Sequence, residues 1–174
     1  MKSYLEKLED IKAFVFDVDG VFTDGTVTLL PSGDQIRKMN IKDGYAVQHA
    51  VKRGVNICII SGGKSEAVRT RFQGLGVQNI NLGASYKMDV FDEFLLTYDL
   101  TKEDCLYMGD DMPDLEIMSQ VGLAVCPNDA APEIKEVSHY ISPKNGGEGA
   151  VRDILEQYLK AKGLWSGDKT SLTW

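Results

Sequence analysis

The sequence has few cysteines and histidines, and it has no long apolar run. It contains three cysteines and two histidines among 174 residues. Cys58, Cys105 and Cys126 lie in or beside apolar runs and share no close spacing, so we expect reduced core residues and neither a disulfide framework nor a zinc site. No apolar stretch approaches the roughly 20 residues that a helix needs to cross a bilayer.

Positive charge is also in deficit. Nineteen lysines and arginines face 26 aspartates and glutamates, which gives a net charge of −7 and argues against a nucleic-acid-binding surface. The first ten residues are charged and lack the apolar stretch of a signal peptide, so we expect a cytoplasmic protein. The length and the 43% apolar content predict a single domain over residues 1–174 with a real core.

Short apolar runs alternate with helical patterns along the chain. Strands are predicted at residues 13–16, 55–60, 79–82, 105–108, 122–125 and 139–141. Helices are predicted at residues 45–53, 65–75, 88–98, 113–120, 131–137 and 150–162, with residues 1–10 either a short helix or extended. This alternation predicts an α/β fold, an open and mostly parallel Rossmann-like sheet with helices on both faces.

Two segments fall outside the alternation. Residues 21–40 are predicted to form a β-hairpin, with strands at 26–30 and 35–39 joined by a Pro-Ser-Gly-Asp turn. This excursion is too short to be a lid domain. Residues 163–174 form a polar tail, which is either a frayed end or a segment that docks Trp165 and Trp174 on a neighbouring molecule.

Polar side chains follow four of the predicted strands, and in open α/β sheets ligands bind beyond the carboxyl ends of the strands. The set comprises Asp17, Asp19, Ser61, Gly62, Gly63, Lys87, Asp110, Asp111 and Asp114. Each has an ordinary alternative when taken alone: Ser61 and Asp111 as helix caps, Lys87 as a solvated lysine, and Asp114 as a group that favours a helix dipole. Four strand ends with such residues at one edge favour a joint function.

These residue types suit phosphoryl transfer. Close carboxylates repel each other, and Mg²⁺ between Asp17 and Asp110 would relieve the repulsion. Lys87 supplies a cation, Ser61 a hydroxyl, and the amides of Gly62 and Gly63 can face an anion at a helix start. Asp17 can attack phosphorus, and Asp19 can protonate the leaving alkoxide and later activate water.

The motifs FDVDG at residues 16–20, Ser61, Lys87 and GDDMPD at residues 109–114 resemble, in order, those of haloacid dehalogenase superfamily phosphatases. The resemblance extends to about residue 160. It implies that Asp17 is the nucleophile and a Mg²⁺ ligand, that Asp19 is the acid/base with its carbonyl on the metal, and that Asp110 is the third ligand. Ser61, Gly62 and Lys87 would bind phosphate, and Asp111 and Asp114 would support the ligands.

The segments DVDGVFTDG, NIKDGYAV and GGEGAVR resemble one branch, the phosphatases of 3-deoxy-D-manno-octulosonate (KDO) 8-phosphate. That resemblance implies a homotetramer without a lid, in which a neighbour's hairpin or tail covers the site. It also implies substrate contacts by Asn40, Lys42, Asp43, Gly44 and Arg71. The glycines of GGEGAVR either form a turn before a capped helix or contribute to a subunit contact.

The chain departs from the branch at Gln48 and Gly63, where the enterobacterial enzymes carry arginines. A related branch, acting on a nine-carbon 2-keto-3-deoxy sugar acid phosphate, carries glutamate at the second position. Lys64 or Arg69 would then have to recognise the substrate carboxylate.

Three functions therefore remain open: a Mg²⁺-dependent sugar-acid phosphate phosphatase, a receiver domain, and a non-catalytic oligomerisation module. Receiver domains carry an adjacent acidic pair and accept phosphate on a middle strand, whereas here the acids are spaced as DxD after the first strand. Idle members of the superfamily usually lose a motif residue, and this chain retains all of them. Both features favour the phosphatase.

Overall fold

The chain folds around a six-stranded parallel sheet in a computed structural model, which describes residues 3–166. The sheet strands are β1 (Ala13–Phe16), β4 (Asn56–Ser61), β5 (Asn79–Leu82), β6 (Cys105–Met108), β7 (Leu123–Cys126) and β8 (Tyr140–Ile141). The helices are α1 (Tyr4–Asp10), α2 (Ile41–Lys52), α3 (Glu66–Gly74), α4 (Lys87–Tyr98), α5 (Leu115–Met118), α6 (Pro132–Val137) and α7 (Ala150–Ala161). The predicted α/β class and parallel sheet are confirmed.

Strand β1 lies in the middle of the sheet, whose order is β5-β4-β1-β6-β7-β8. Val15 pairs with Cys58 of β4 on one side and with Tyr107 of β6 on the other. The strand order therefore reverses direction at β1, and the loops after β4, β1 and β6 leave the sheet side by side. In open parallel sheets, this switch point is where ligands bind.

The two faces of the sheet bury separate apolar layers, because successive side chains of a strand point to opposite faces. Phe14 and Phe16 pack with α1, α2, α3 and α7 on one face. Ala13 and Val15 pack with α4, α5 and α6 on the other. All four residues of β1 are fully buried, as expected for a strand covered on both sides. The three cysteines are free and buried, as predicted.

The predicted hairpin is present but shorter than expected. Strands β2 (Thr28–Leu29) and β3 (Gln35–Ile36) pair antiparallel, and the turn between them contains the predicted Pro-Ser-Gly-Asp segment. Both strands are exposed. The hairpin forms a separate two-stranded sheet beside the carboxyl edge of the main one.

Two helices differ from their predicted bounds by more than one residue. Helix α2 starts at Ile41, four residues earlier than predicted, because the Asn40 side chain caps it by accepting a hydrogen bond from the Lys42 amide at 2.8 Å. The predicted helix at residues 113–120 is instead a 3₁₀ turn, Met112–Asp114, followed by α5. Asp111 caps that turn through the Met112 amide.

The glycines of GGEGAVR pack against the loop that follows β1. A Cβ at Gly146 would collide with the carbonyl of Gly20, and one at Gly147 would crowd the backbone of Thr23. Gly149 then starts α7 with a φ of 107°. The predicted turn is therefore present, and its close approach to the DxDG loop explains why it needs small residues. The alternative, a subunit contact by these glycines, stays a prediction.

The described part of the tail folds back on its own chain. The Trp165 ring packs edge-on against His49, with the ring centroids 5.3 Å apart, and Arg152 lies 4.9 Å from the Trp165 centroid. Residues 167–174, including Trp174, lie outside the described residues. Among the described residues, no helix is long and apolar enough to cross a membrane.

Candidate active site

The loops that follow strands β1, β4 and β5 line a cavity of about 440 Å³. Its lining includes Asp17, Asp19, Ser61, Gly62 and Lys87. They come from three places: Asp17 and Asp19 follow β1, Ser61 and Gly62 lie at the end of β4, and Lys87 starts α4. The parallel sheet brings these places together because β4 and β1 are neighbours and α4 begins just beyond β5. The structure therefore gathers most of the predicted phosphate-site residues in one cavity.

Lys87 links two carboxylates at the base of this cavity. Its Nζ lies 3.0 Å from Oδ1 of Asp17 and 2.7 Å from Oδ1 of Asp114. The Tyr107 hydroxyl also donates to Asp114 Oδ1, at 2.6 Å, and the Asp110 amide donates to its Oδ2 at 3.2 Å. Tyr107 belongs to the buried strand β6, and sequence reasoning missed it because its pattern is that of a core aromatic residue.

The cluster holds more negative than positive charge when ionised. One oxygen from each of Asp17, Asp110 and Asp114 lies within 4.8 Å of the other two. Burial and the charge of Asp114 raise the pKa of Asp17 to about 7. Burial and the charges of Asp17 and Asp114 likewise raise the pKa of Asp110 to about 7. Burial alone would lower the pKa of Lys87, but Asp17 and Asp114 outweigh it and the pKa is raised.

A divalent cation fits this donor set. Oxygen ligands suit Mg²⁺, and a second cation beside Lys87 would balance the buried carboxylates. Asp17 and Asp110 are the better ligands, because both oxygens of Asp114 already accept hydrogen bonds from protein donors. The Asp19 carbonyl accepts no hydrogen bond from residues 3–166, so it too is open to a metal.

Gly20 explains why the acidic motif ends in glycine. Its φ is 81°, and a Cβ there would collide with the carboxylate of Asp110. The loop after β1 can therefore turn back beside the loop after β6 only when residue 20 has no side chain. Thr23 supports the turn, because its hydroxyl oxygen accepts hydrogen bonds from the amides of Gly20 and Gly25.

The Asp19 side chain points away from the acidic cluster and toward the hairpin. Arg37, just past β3, donates to it from Nε to Oδ1 at 2.6 Å and from Nη2 to Oδ2 at 3.1 Å. Sequence reasoning missed Arg37, because the pattern of residues 26–39 indicates a hairpin but not where the hairpin stands over the sheet.

Ser61 is buried at the end of β4, and its hydroxyl oxygen accepts a hydrogen bond from the Gly63 amide at 3.1 Å. The prediction that the amides of Gly62 and Gly63 both face an anion at a helix start is therefore wrong for Gly63. Helix α3 begins only at Glu66, three residues later. Among the described residues, the Gly62 amide makes no hydrogen bond, so it stays available to a ligand.

The residues of the predicted substrate loop, 40–44, lie in different surroundings. Asn40 and Lys42 line a different cavity, of about 470 Å³, together with residues of α7. Asp43 is fully buried, and its Oδ1 accepts a hydrogen bond from the Arg152 amide at 2.7 Å. Burial raises the pKa of Asp43 to about 6. Asp43 therefore faces α7 and caps the start of that helix, and the substrate contact predicted for it stays a prediction.

Arg71 and Gly44 lie together, as a Cβ at Gly44 would collide with the Arg71 guanidinium. Arg71 lines a groove of about 1090 Å³ between the hairpin and α3. Arg37, Lys64, Gly62 and Gly63 also line it, and the two glycines are shared with the 440 Å³ cavity. The groove is therefore continuous with the cavity, and it can receive the organic part of a phosphate ester.

Arg69 and Lys64 differ in how available their side chains are to bind a substrate carboxylate. Arg69 donates to the carbonyl of Ile80 at 3.0 Å and pairs with Glu66 at 3.5 Å, so its guanidinium is committed to the α3–β5 packing. The Lys64 stem lies over Gly83, where a Cβ would be 3.1 Å from its carbons. Of the two residues that the sequence suggested, only Lys64 faces the groove.

The fold and the cluster of acids define a class of hydrolase, and comparison with known proteins agrees. Residues 79–155 match the haloacid dehalogenase-like hydrolase family. The chain belongs to this family, and it is a phosphatase that uses Mg²⁺. A receiver domain and a non-catalytic module are thereby set aside.

Its relatives within the family include KDO 8-phosphate phosphatases. The Escherichia coli K12 enzyme is 33% identical over 159 residues, which cover 91% of this chain and 85% of the relative. The crystal structure of the Yersinia pestis enzyme has a TM-score of 0.91 and 31% identity, covering 94% of this chain and 89% of that one. The Moraxella catarrhalis enzyme, solved with magnesium, phosphate and KDO, has a TM-score of 0.87 and 32% identity, covering 91% of each chain.

Proposed function

We propose that this chain, as a single domain, hydrolyses KDO 8-phosphate to KDO and inorganic phosphate. The observation that carries the proposal is the shared cavity of Asp17, Asp19, Ser61 and Lys87, with the Asp110 carboxylate beside Asp17. Relatives named for this reaction span nearly the whole chain. The runner-up substrate is a nine-carbon 2-keto-3-deoxy sugar acid phosphate, since Gly63 matches neither branch.

In the first step, an Asp17 carboxylate oxygen attacks phosphorus and forms an aspartyl phosphate. The bond between phosphorus and the sugar oxygen breaks, and that oxygen takes a proton from Asp19. Lys87 and the Ser61 hydroxyl bind the phosphoryl oxygens, where negative charge spreads in the transition state. Lys87 suits this role because its own pairing with Asp17 and Asp114 keeps it protonated.

In the second step, water attacks phosphorus on the opposite side from Asp17. Asp19, now a carboxylate, takes a proton from this water, and the bond between phosphorus and the Asp17 oxygen breaks to release inorganic phosphate. Bound Mg²⁺, held by Asp17, Asp110 and the Asp19 carbonyl, would shield Asp17 from repulsion by the phosphate. Asp114 and Asp111 would support these ligands without binding the metal themselves.

We also propose that the protein is a cytoplasmic homotetramer in which a neighbouring subunit covers the site. The hairpin exposes apolar side chains next to the groove, with Leu29 71% exposed and Ile36 52% exposed. Such residues are typical of surfaces that a partner buries. The 440 Å³ cavity is open to solvent at the same edge, and phosphoryl transfer benefits when water is excluded.

The test is a comparison of kcat/KM for eight-carbon and nine-carbon keto-deoxy sugar acid phosphates, with Mg²⁺ and with EDTA. We expect the eight-carbon substrate to be preferred and activity to need Mg²⁺. Asp17→Asn should abolish turnover while the protein stays folded by circular dichroism. Full activity of Asp17→Asn would refute the aspartyl-phosphate mechanism, and a preference for the nine-carbon substrate would refute the choice of sugar alone.

A further inference from the structure

Arg37, which lies just past β3 of the hairpin, contacts Asp19, a residue that lines the 440 Å³ cavity. Its guanidinium meets Asp19 through two hydrogen bonds, of 2.6 Å and 3.1 Å, in the paired geometry that favours arginine over lysine. The Arg37 side chain is only 9% exposed, although β2 and β3 are exposed on both faces. An arginine held this way loses much rotamer freedom, so the two bonds must offset that cost.

The surroundings of Arg37 fit the pair. Gln35 accepts a further hydrogen bond from Arg37 Nη2 at 3.2 Å, which fixes the guanidinium from the hairpin side. On the other side stands Gly63, where a Cβ would lie 3.4 Å from Nη2 and 3.5 Å from Asp19 Oδ2. A Cβ at position 63 would therefore be in ordinary van der Waals contact with both members of the pair. Position 63, where this chain departs from the related enzymes, lies directly beside the Arg37–Asp19 pair.

Asp19 needs such a partner, because nothing else described holds its carboxylate. Its side chain is 38% exposed, and Arg37 supplies all of its hydrogen bonds from the described residues. A general acid works only when it lies within hydrogen-bond reach of the departing oxygen, and a displacement of about 1 Å can cost about 100-fold in rate.

We infer that Arg37 is a positioning residue, which holds the Asp19 carboxyl group where its protonated form can donate a proton to the leaving oxygen of a sugar phosphate and its carboxylate form can accept one from water. This inference rests on the proposed function of Asp19 and makes the hairpin part of the active site. The bond that breaks is the one between phosphorus and the sugar oxygen, and the proton passes from Asp19 to that oxygen.

The experiment compares Arg37→Gln with wild type on three substrates in the full-length protein with Mg²⁺. They are KDO 8-phosphate, a neutral sugar phosphate with the same primary-alcohol leaving group, and p-nitrophenyl phosphate, whose leaving group departs without a proton. The ratio kcat/KM reports the steps up to the first irreversible one. We expect it to fall about 10- to 100-fold for both sugar phosphates and by less than about threefold for p-nitrophenyl phosphate.

Each other pattern overturns the inference. A loss on KDO 8-phosphate alone would mean that Arg37 recognises the substrate carboxylate. An equal loss on all three substrates would mean that Arg37 only maintains the structure, and no loss would mean that the pair is incidental. The matched control is Lys38→Gln, which removes the same charge from the next, exposed hairpin residue and should leave all three values unchanged.

A double-variant cycle tests whether Arg37 acts through Asp19. In an Asp19→Asn background, Arg37→Gln should cause no further loss on the neutral sugar phosphate, because the acid that it positions is already gone. Losses that multiply would refute a shared role. If wild type prefers another substrate over KDO 8-phosphate, the proposed function fails, while the comparison of the neutral sugar phosphate with p-nitrophenyl phosphate still tests Arg37.

Discussion

Asp114→Asn is the substitution that tests the buried network most directly. Asp114 is fully buried and accepts hydrogen bonds from Lys87, the Tyr107 hydroxyl and the Asp110 amide. Asparagine has almost the same shape, but it is neutral, and one of its two oxygens is replaced by an NH₂ group. It can still accept from Lys87 and Tyr107 through Oδ1, and its NH₂ then faces the Asp110 amide, which is also a donor.

The expected loss in the free energy of unfolding has two contributions, and a third effect offsets part of it. An unsatisfied buried donor costs about 1–3 kcal/mol, and the bond from Lys87 loses about 1 kcal/mol when its acceptor becomes neutral. Removing the Asp114 charge also relieves its repulsion of the Asp17 and Asp110 carboxylates, which offsets part of this loss in stability. We therefore expect a net loss of about 2–3 kcal/mol in the free energy of unfolding, or about 5–10 °C in melting temperature for a domain of this size.

The assay is urea unfolding followed by circular dichroism, with EDTA present so that no divalent ion contributes. The matched control is Asp111→Asn in the same motif. Asp111 is exposed and caps a 3₁₀ turn through the Met112 amide, and asparagine caps as well as aspartate does, so we expect a change below about 0.5 kcal/mol. If Asp114→Asn costs no more than Asp111→Asn, Asp114 is not the centre of the network and this account of the site is wrong.

Three further predictions concern the proposed metal ligands, the loop after β1 and the contact between α2 and α7. Because the pKa values of Asp17 and Asp110 are raised to about 7, the metal-free protein should lose melting temperature as the pH rises from 5 to 8, and millimolar Mg²⁺ should reduce that loss; a rise with pH in EDTA would contradict the sign. Gly20→Ala should weaken Mg²⁺ binding in calorimetry at least about tenfold, because its Cβ displaces the Asp110 carboxylate; unchanged binding would refute the collision. Asp43→Ala should lower the free energy of unfolding by about 1–2 kcal/mol by uncapping α7, whereas an unchanged free energy together with a raised KM would favour Asp43 as a substrate contact.

Much of the fold follows from local pattern. The bounds of β1 and β6 match their prediction to the residue, because four-residue apolar runs followed by Asp17 or Gly109 leave no other place for a buried strand to end. Helix α2 was predicted to begin too late, because Asn40 and the first turn are polar and resemble a loop. The apolar face that sequence periodicity detects starts only at Tyr45, whereas the cap sets the true start.

The predicted phosphate residues came together because each lies at a strand end or just beyond one, and strand order alone determines their proximity. Asp43 and Arg37 could not be placed this way. Asp43 meets Arg152, which is 109 residues distant along the chain, through the packing of α2 on α7. Arg37 meets Asp19 through the orientation of a hairpin that no core residue pattern specifies. Both contacts depend on tertiary geometry, which no local spacing encodes.

The charges of the site residues also help to explain why some of these side chains are buried and another is partly exposed to solvent. Asp17, Lys87 and Asp114 are buried together, and burial strengthens the attraction between them while it raises the pKa of any carboxylate left unpaired. Asp19 is half-exposed and pairs with Arg37 at the mouth of the cavity. A nucleophile needs a fixed, dry position, whereas an acid that serves both the leaving group and water needs access to solvent. In the proposed mechanism the two aspartates of the DxD motif would meet these opposite demands, because Asp17 contacts Lys87 in the buried cluster and Asp19 contacts Arg37 beside the hairpin.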